Sequence, residues 1–166
     1  MLQKNMTIRL QITSVTAEGS GVGKTDEGMA VFVPLSAVGD TLDVRILKVK
    51  KTYAFGKIER IVTPSQHRVT PDCPHFAQCG GCVFRHIAYE EECRLKQQRV
   101  TDALERIGGL RVPVSPIVPS ERVLRYRNKA QLPVGTDKNG APVMGFYAFH
   151  SHRIIDCGDC VLQPES

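Results

Sequence analysis

Nowhere in this sequence do about 18 apolar residues follow one another, so no segment reads as a membrane-crossing helix. The opening "MLQKNMTIRLQI" also lacks the apolar core of a signal peptide. Low-complexity segments and internal repeats are absent too. Apolar residues at 42% and charged residues at 23% argue against disorder or a fibrous class. These absences leave the cytoplasm as the expected compartment with no membrane partner; a monomer is expected. In a reducing cytosol six cysteines do not read as three structural disulfides, so clustered ones favour a metal site.

What is present is an ordinary length with a local excess of positive charge. A chain of 166 residues accommodates one domain or two small ones. Lysine and arginine number 22 against 17 acidic residues. The excess gathers at Lys48, Lys50, Lys51, Lys57 and Arg60, then at Arg122, Arg125, Arg127 and Lys129. An anionic partner such as RNA accounts for this, and a solvated surface is the plainer alternative.

Residues 6 to 62 are short, β-branched and often alternating: "MTIRLQITSV", "MAVFVP", "LDVRILKVKK" and "TYAFGKIERIV". Strands this short and closely spaced predict a small barrel. "TPSQHRVTPD" combines two prolines with polar residues, which predicts a linker and a domain boundary. "EGSGVGKTDEG" imitates a phosphate-binding loop, but Glu18 stands where that loop needs glycine, and the stretch leads into a strand rather than a helix. Gly19, Gly21 and Gly23 are expected instead at tight bends, and Gly28 at a turn.

The stretch "AEGSGVGKTDEGMAVFVPLSAVGDTLDVRILKVKKTYAFGKIERIV" resembles the TRAM domain, a small OB-like barrel that binds RNA. The resemblance makes Lys48, Lys50, Lys51 and Lys57 the candidate phosphate contacts. Strand alternation places Lys48 and Lys50 on one face and Lys51 on the other.

Further on, "YEEECRLKQQRVTDALERIGGL" predicts a helix over about 89–107, with Tyr89, Cys93, Lys96, Val100, Ala103, Leu104 and Ile107 on one stripe. Cys93 there reads as a small buried hydrophobe rather than a ligand. "RVLRYRNKAQLPV", "PVMGFYAFH" and "HRIIDCGDC" predict strands, with "GTDKNGA" as a hairpin loop. Alternation along the first would align Arg125, Arg127, Lys129 and Gln131 as a basic strip, with Asn128 beside it.

Cys73, Cys79 and Cys82 give C-x5-C-x2-C, and Gly80 and Gly81 let a short loop close around a bulky ligand. Three thiolates together need a cationic centre, and a fourth ligand is expected from Cys157 or Cys160. Zinc and a four-iron cluster both accept four thiolates. The spacing favours iron–sulfur, because two zinc knuckles would leave Cys73 spare. His67, His75 and His86 lie nearby but are not needed where four cysteines suffice.

"CPHFAQCGGCVFRHIAYEEECRLKQQRVTDALERIGGL", "YRNKAQLPV", "GFYAFHSHRIID" and "CVLQP" together resemble the front half of the RNA uracil-C5 methyltransferases. The branch most resembled modifies 23S ribosomal RNA and joins a TRAM domain to a [4Fe–4S] cluster. The resemblance implies Cys73, Cys79, Cys82 and Cys160 as ligands, with Cys157 the alternative fourth. It also raises Arg125, Arg127, Asn128, Lys129 and Gln131 as RNA contacts. "YAFHSHRIID" departs from the family's usual basic residues after "GFY", leaving His150, His152 and Arg153 nearby.

The expected fold is therefore mainly β with an α+β second part. An OB-like barrel at 1–63 and a linker at 64–72 precede a partial α+β iron–sulfur and RNA-binding domain at 73–166. No S-adenosylmethionine-binding domain and no "SCNP"-like nucleophile is present, so the expected role is the RNA- and cluster-binding N-terminal portion of a methyltransferase that uses that cofactor. The alternative is a stand-alone RNA-binding module with iron–sulfur or zinc.

Overall fold

The computed structural model describes residues 2–165. The chain divides into two compact units, Met1–Val69 with His86–Ile117, and Thr70–Arg85 with Val118–Ser166. The division differs from the expected one: the segment from 86 to 117, including the helix, belongs with the barrel.

Five strands make the barrel: β1 (Thr7–Val15), β2 (Gly21–Lys24), β3 (Ala30–Val33), β4 (Thr41–Val49) and β5 (Tyr53–Thr63). They close in the order β1-β2-β3-β5-β4. β3 and β5 pair in parallel, and the other neighbours are antiparallel. Closure removes the free edges that an open sheet would leave to pair with other chains. Leu10, Ile12, Val31, Val33, Leu42, Val44, Ile46 and Ala54 fill the interior. Each sits at alternate strand positions, the period by which one strand face points inward. The mainly β expectation, a small barrel with a modest α+β part, is what is found.

The glycine run behaves differently from the expectation. Gly19 and Gly28 do occupy turns, with φ of 81° and 84°. Gly21 and Gly23, however, lie within β2, where space rather than bending requires them. A Cβ on Gly23 would meet the Gln11 carbonyl oxygen at 2.5 Å and Leu10 Cγ at 2.6 Å.

The expected linker is tied down by one buried carboxylate. Asp40, 0% exposed, accepts hydrogen bonds from the Ala37 N–H at 2.7 Å and the Ser65 N–H at 2.9 Å. Arg68 donates to both of its oxygens at 2.8 and 2.7 Å. Two prolines signal a turn-rich path, but they do not reveal that this path returns to a buried anion. Burial alone pushes the Asp40 carboxyl up; the Arg68 and amide hydrogen bonds outweigh it and hold the group below its ordinary value. A lowered folded-state value means stability that is complete above the ordinary carboxylate range and is lost as pH falls through it. Asp40→Ala should therefore cost about 3 kcal/mol in urea unfolding at neutral pH, since it orphans two amides and a half-buried guanidinium. Wild type should approach the variant's stability as pH is lowered through and below about 4.

Helix α1 spans Tyr89–Asp102 and runs into a π-helical turn at Ala103–Ile107, so the expected extent holds. Glu90, Glu91 and Glu92 occupy its first turn, where negative charge suits the helix dipole. The buried face differs from the predicted stripe. Glu91 and Leu95 are its buried residues, whereas Val100 is 50% and Ile107 87% exposed. Glu91 can turn inward because Arg94 donates to both of its oxygens, each at 2.6 Å. Cys93 is half-buried. Among the described residues no helix is long and apolar enough to cross a membrane.

The second unit contains a three-stranded sheet, β6 (Val134–Thr136), β7 (Pro142–Tyr147) and β8 (Ile154–Asp156), in that order. The "GTDKNGA" loop closes as expected: the Asp137 carboxylate accepts from the Asn139 and Ala141 N–H groups. "RVLRYRNKAQLPV" instead forms no strand before Val134. Arg125 adopts a left-handed φ of 54°, which breaks the alternation. The N–H groups of Arg125 and Arg127 reach the carbonyls of Val161 and Leu162.

Candidate functional site

The sequence from 72 to 85 is a compact loop bracketed at its ends by the Arg85–Asp72 ion pair. Within it Phe76 N–H bonds to the Cys73 carbonyl at 3.2 Å, and Cys79 N–H to the His75 carbonyl at 2.8 Å. The far side of the loop is stitched to the end of β7 by Gly80 N–H to the Tyr147 carbonyl at 2.9 Å. Cys79 and Ala148 form an isolated β-bridge there. A side chain at position 80 would press on that partner, its Cβ 3.0 Å from the Tyr147 oxygen. The need for glycine at 80 is thus close backbone approach.

β8 delivers the other two cysteines, Cys157 and Cys160. Gln163 N–H bonds to the Cys160 carbonyl at 2.9 Å, and Arg125 donates to the same oxygen at 3.2 Å and to Asp159 at 2.5 and 2.9 Å. One cleft of about 420 Å³, counting space open to solvent, is lined by Cys73, Cys79, Cys82, Cys157 and Cys160. Phe76, Phe146, Val161 and Leu162 supply an apolar wall, with His75 and Arg127 also at the lining. All four predicted ligands and the alternative are therefore gathered, although the last two lie far along the chain from the first three.

The cysteine sulfurs are crowded in a cleft with an apolar wall. Burial pushes the Cys82 thiol up, and the neighbouring Cys79 and Cys160 add to this against the opposing pull of Arg85 and Arg127. Cys157 is pushed up to about 11, first by burial and then by the charge and hydrogen bond of Cys79. Among the described residues no group of three or more His, Cys, Asp or Glu side chains is arranged to hold a metal ion. The expected site of Cys73, Cys79, Cys82 and Cys160 is thus a shared cleft and not a formed coordination sphere. Of the nearby histidines, His86 is buried with its Nε2 3.2 Å from the Ser36 carbonyl, and His67 lies 3.8 Å from Glu91; neither lines the cleft.

The basic candidates separate into engaged and open groups. Val49 packs on the barrel core, and β4–β5 pairing sets Val49 opposite Ala54 and Lys48 opposite Phe55, so Lys48 points outward. Lys50 and Lys51 occupy the β4–β5 turn, and Lys57 is exposed on β5. The barrel's arginines are differently used. Arg9 and Arg60 both pair with Asp43 at 2.6 Å, and Arg45 pairs with Glu59. In the second unit Arg125 is clamped to Asp159, Arg127 is half-buried at the cleft, and Asn128, Lys129 and Gln131 are exposed. The strip expected from strand alternation does not form, because there is no strand to carry it.

One group escaped the sequence reading. Phe32, Tyr53 and Phe55 cluster on the barrel's outer face, with ring centroids 5.4 to 5.7 Å apart. The signal was present: in "AVFV" and "YAF" the aromatics alternate with small or β-branched residues that point inward.

Comparison with known proteins bears on the whole arrangement. The TRAM domain family matches residues 2–58. A protein of Clostridium tetani named as an RNA methyltransferase is 44% identical over 99% of this chain and 35% of its own length. One of Halalkalibacterium halodurans, also named as an RNA methyltransferase, is 43% identical over 99% of this chain and 36% of its own. The chain spans about a third of the length of these curated relatives. The crystal structure of the Pyrococcus abyssi tRNA (uracil-54, C5)-methyltransferase, in complex with S-adenosyl-L-homocysteine, is similar at 26% identity and a TM-score of 0.57. That likeness covers 94% of this chain and 33% of the archaeal one. A TRAM barrel at residues 2–58 and similarity along nearly the whole chain to proteins named as RNA methyltransferases are what this chain shares with known proteins.

Proposed function

We propose that this chain is the RNA-holding and cluster-binding portion of a cytoplasmic, S-adenosylmethionine-dependent RNA uracil-C5 methyltransferase, and that its RNA is 23S ribosomal RNA. The observation that carries the reading is the correspondence of 99% of the chain with RNA methyltransferases, joined to five cysteines on one cleft. Methyl transfer itself belongs to sequence outside these residues.

The donor set suits a [4Fe–4S] cluster. Half-buried cysteines such as Cys82 and Cys157, whose proton affinity burial and neighbouring sulfurs raise, lose that repulsion when a cationic centre takes up their thiolates. Cys73, Cys79, Cys82 and Cys160 would hold the cluster, with Cys157 beside them as the alternative fourth ligand. When bound it would act as a cross-link, tying the 72–85 loop to the chain after β8. Arg125 orients the Cys160 end through the Cys160 carbonyl and Asp159. On the barrel, Lys48, Lys50, Lys51 and Lys57 hold phosphates; Asn128, Lys129 and Gln131 are the exposed candidates of the second unit.

Titration of salt against affinity tests the RNA reading. A 23S fragment with unpaired uridines should bind with an affinity that falls steeply as salt rises, log K dropping by about 0.7 per phosphate contact for each tenfold rise in salt. The archaeal neighbour's tRNA substrate supplies the second reading. Tighter binding of tRNA than of the 23S fragment would establish that reading instead, and no binding of either at low salt would end both.

A further inference from the structure

We infer that the outer face of β3 and β5 is a stacking platform for unpaired RNA bases, built from Phe32, Tyr53 and Phe55. The inference rests on the RNA-binding reading above and adds to it a site and a mode of contact. Parallel pairing sets Phe32 beside Phe55 and Ala30 beside Tyr53. The intervening Val31 and Ala54 are both 0% exposed, so the three rings stand on the opposite, outward face. They meet edge-to-face or tilted, with interplanar angles of 75°, 38° and 90°. Phe55 is 40% exposed; the barrel interior is already filled by aliphatic side chains and does not use it.

The occupant follows from the surrounding charge. Lys48 stands directly opposite Phe55 in the ladder. Lys50 N–H bonds to the Tyr53 carbonyl at 2.8 Å, closing the turn that carries Lys51. Among the described residues none of these three lysines is in an ion pair, in contrast to Arg9, Arg45 and Arg60. Aromatic faces edged by uncommitted cations match a single strand, whose bases offer π surfaces and whose backbone offers phosphates. A duplex hides its base faces and gains only the phosphate contacts.

The test uses a short single-stranded RNA carrying 2-aminopurine beside a blunt duplex, with Phe55→Leu, which keeps apolar cover but removes the ring, and Lys48→Ala. Stacking should quench the 2-aminopurine fluorescence on binding. Phe55→Leu should lose that quenching and weaken single-strand binding about tenfold. Its duplex affinity, salt dependence and thermal midpoint should match wild type. Lys48→Ala should weaken both RNAs and flatten the salt dependence. Wild-type quenching and affinity in Phe55→Leu would overturn the platform while leaving RNA binding by the lysines intact, as would equal loss for strand and duplex. If wild type binds neither RNA at low salt, the RNA reading falls and the platform falls with it.

Discussion

Serine in place of Cys73, Cys79, Cys82 or Cys160 should strip iron and sulfide from anaerobically purified protein, whereas Cys157→Ser should retain most of both. The proposed assignment needs four sulfurs, and the cleft offers five. Cys79 is the most informative of the four. It sits at the β-bridge to Ala148, and its sulfur accepts the Gly81 N–H at 3.4 Å, a contact that suits a thiolate acceptor. Its charge and hydrogen bond also help to raise Cys157, so Cys79→Ser should lower the Cys157 thiol toward its ordinary value in metal-free protein. Iron and sulfide analysis with visible absorbance reads the first effect, and the pH dependence of Cys157 alkylation reads the second. Loss of iron from Cys157→Ser alone would exchange the fourth ligand; a colourless, zinc-loaded wild type would replace the cluster by zinc.

Gly145→Ala should unfold the second unit's sheet and, with it, the proposed cluster site. A Cβ at position 145 would overlap the Ile155 carbonyl oxygen, with the Asp156 Cα a further 3.1 Å contact. These are backbone atoms of the paired strand and cannot rotate away. Relief requires β7 and β8 to separate, and β8 leads directly to Cys157 and Cys160. The cost should reach about 3 kcal/mol, the upper range for overpacking. Gly158→Ala, whose added Cβ has no neighbour within 4 Å, should be close to neutral in the same urea unfolding and iron assays. Equal stability of the two variants would show that the β7–β8 pairing is looser than described.

The two predictions separate what sequence spacing conveys from what it does not. Barrel strands were legible because their inward residues repeat every second position, and α1 because acids open it and "GG" follows it. The gathering of Cys157 and Cys160 with the first three was legible from chemistry, since clustered thiolates demand a partner. Arg125 was misread for a physical reason. Its neighbours alternate like a strand, yet a single left-handed residue and an ion pair to Asp159, far along the chain, are invisible to local periodicity. The buried face of α1 was misread in the same way: a buried Glu91 is expected only once Arg94 and His67 are known to face it. The aromatic trio was missed because its charge-free residues look like core until the inward positions are counted.

The parallel pairing of β3 with β5 and the return of Arg68 to Asp40 also set an order of events during synthesis. Loop closure delays contacts between distant residues, and domains that emerge first tend to fold first. The barrel can close once its fifth strand and Arg68 have left the ribosome, while Cys73, Cys79 and Cys82 must wait for β8. During that interval a nascent chain carries a finished barrel and three open thiols. Delivery of the proposed cluster before the last cysteines emerge would meet an incomplete site, so its insertion should follow, not accompany, the folding of the barrel.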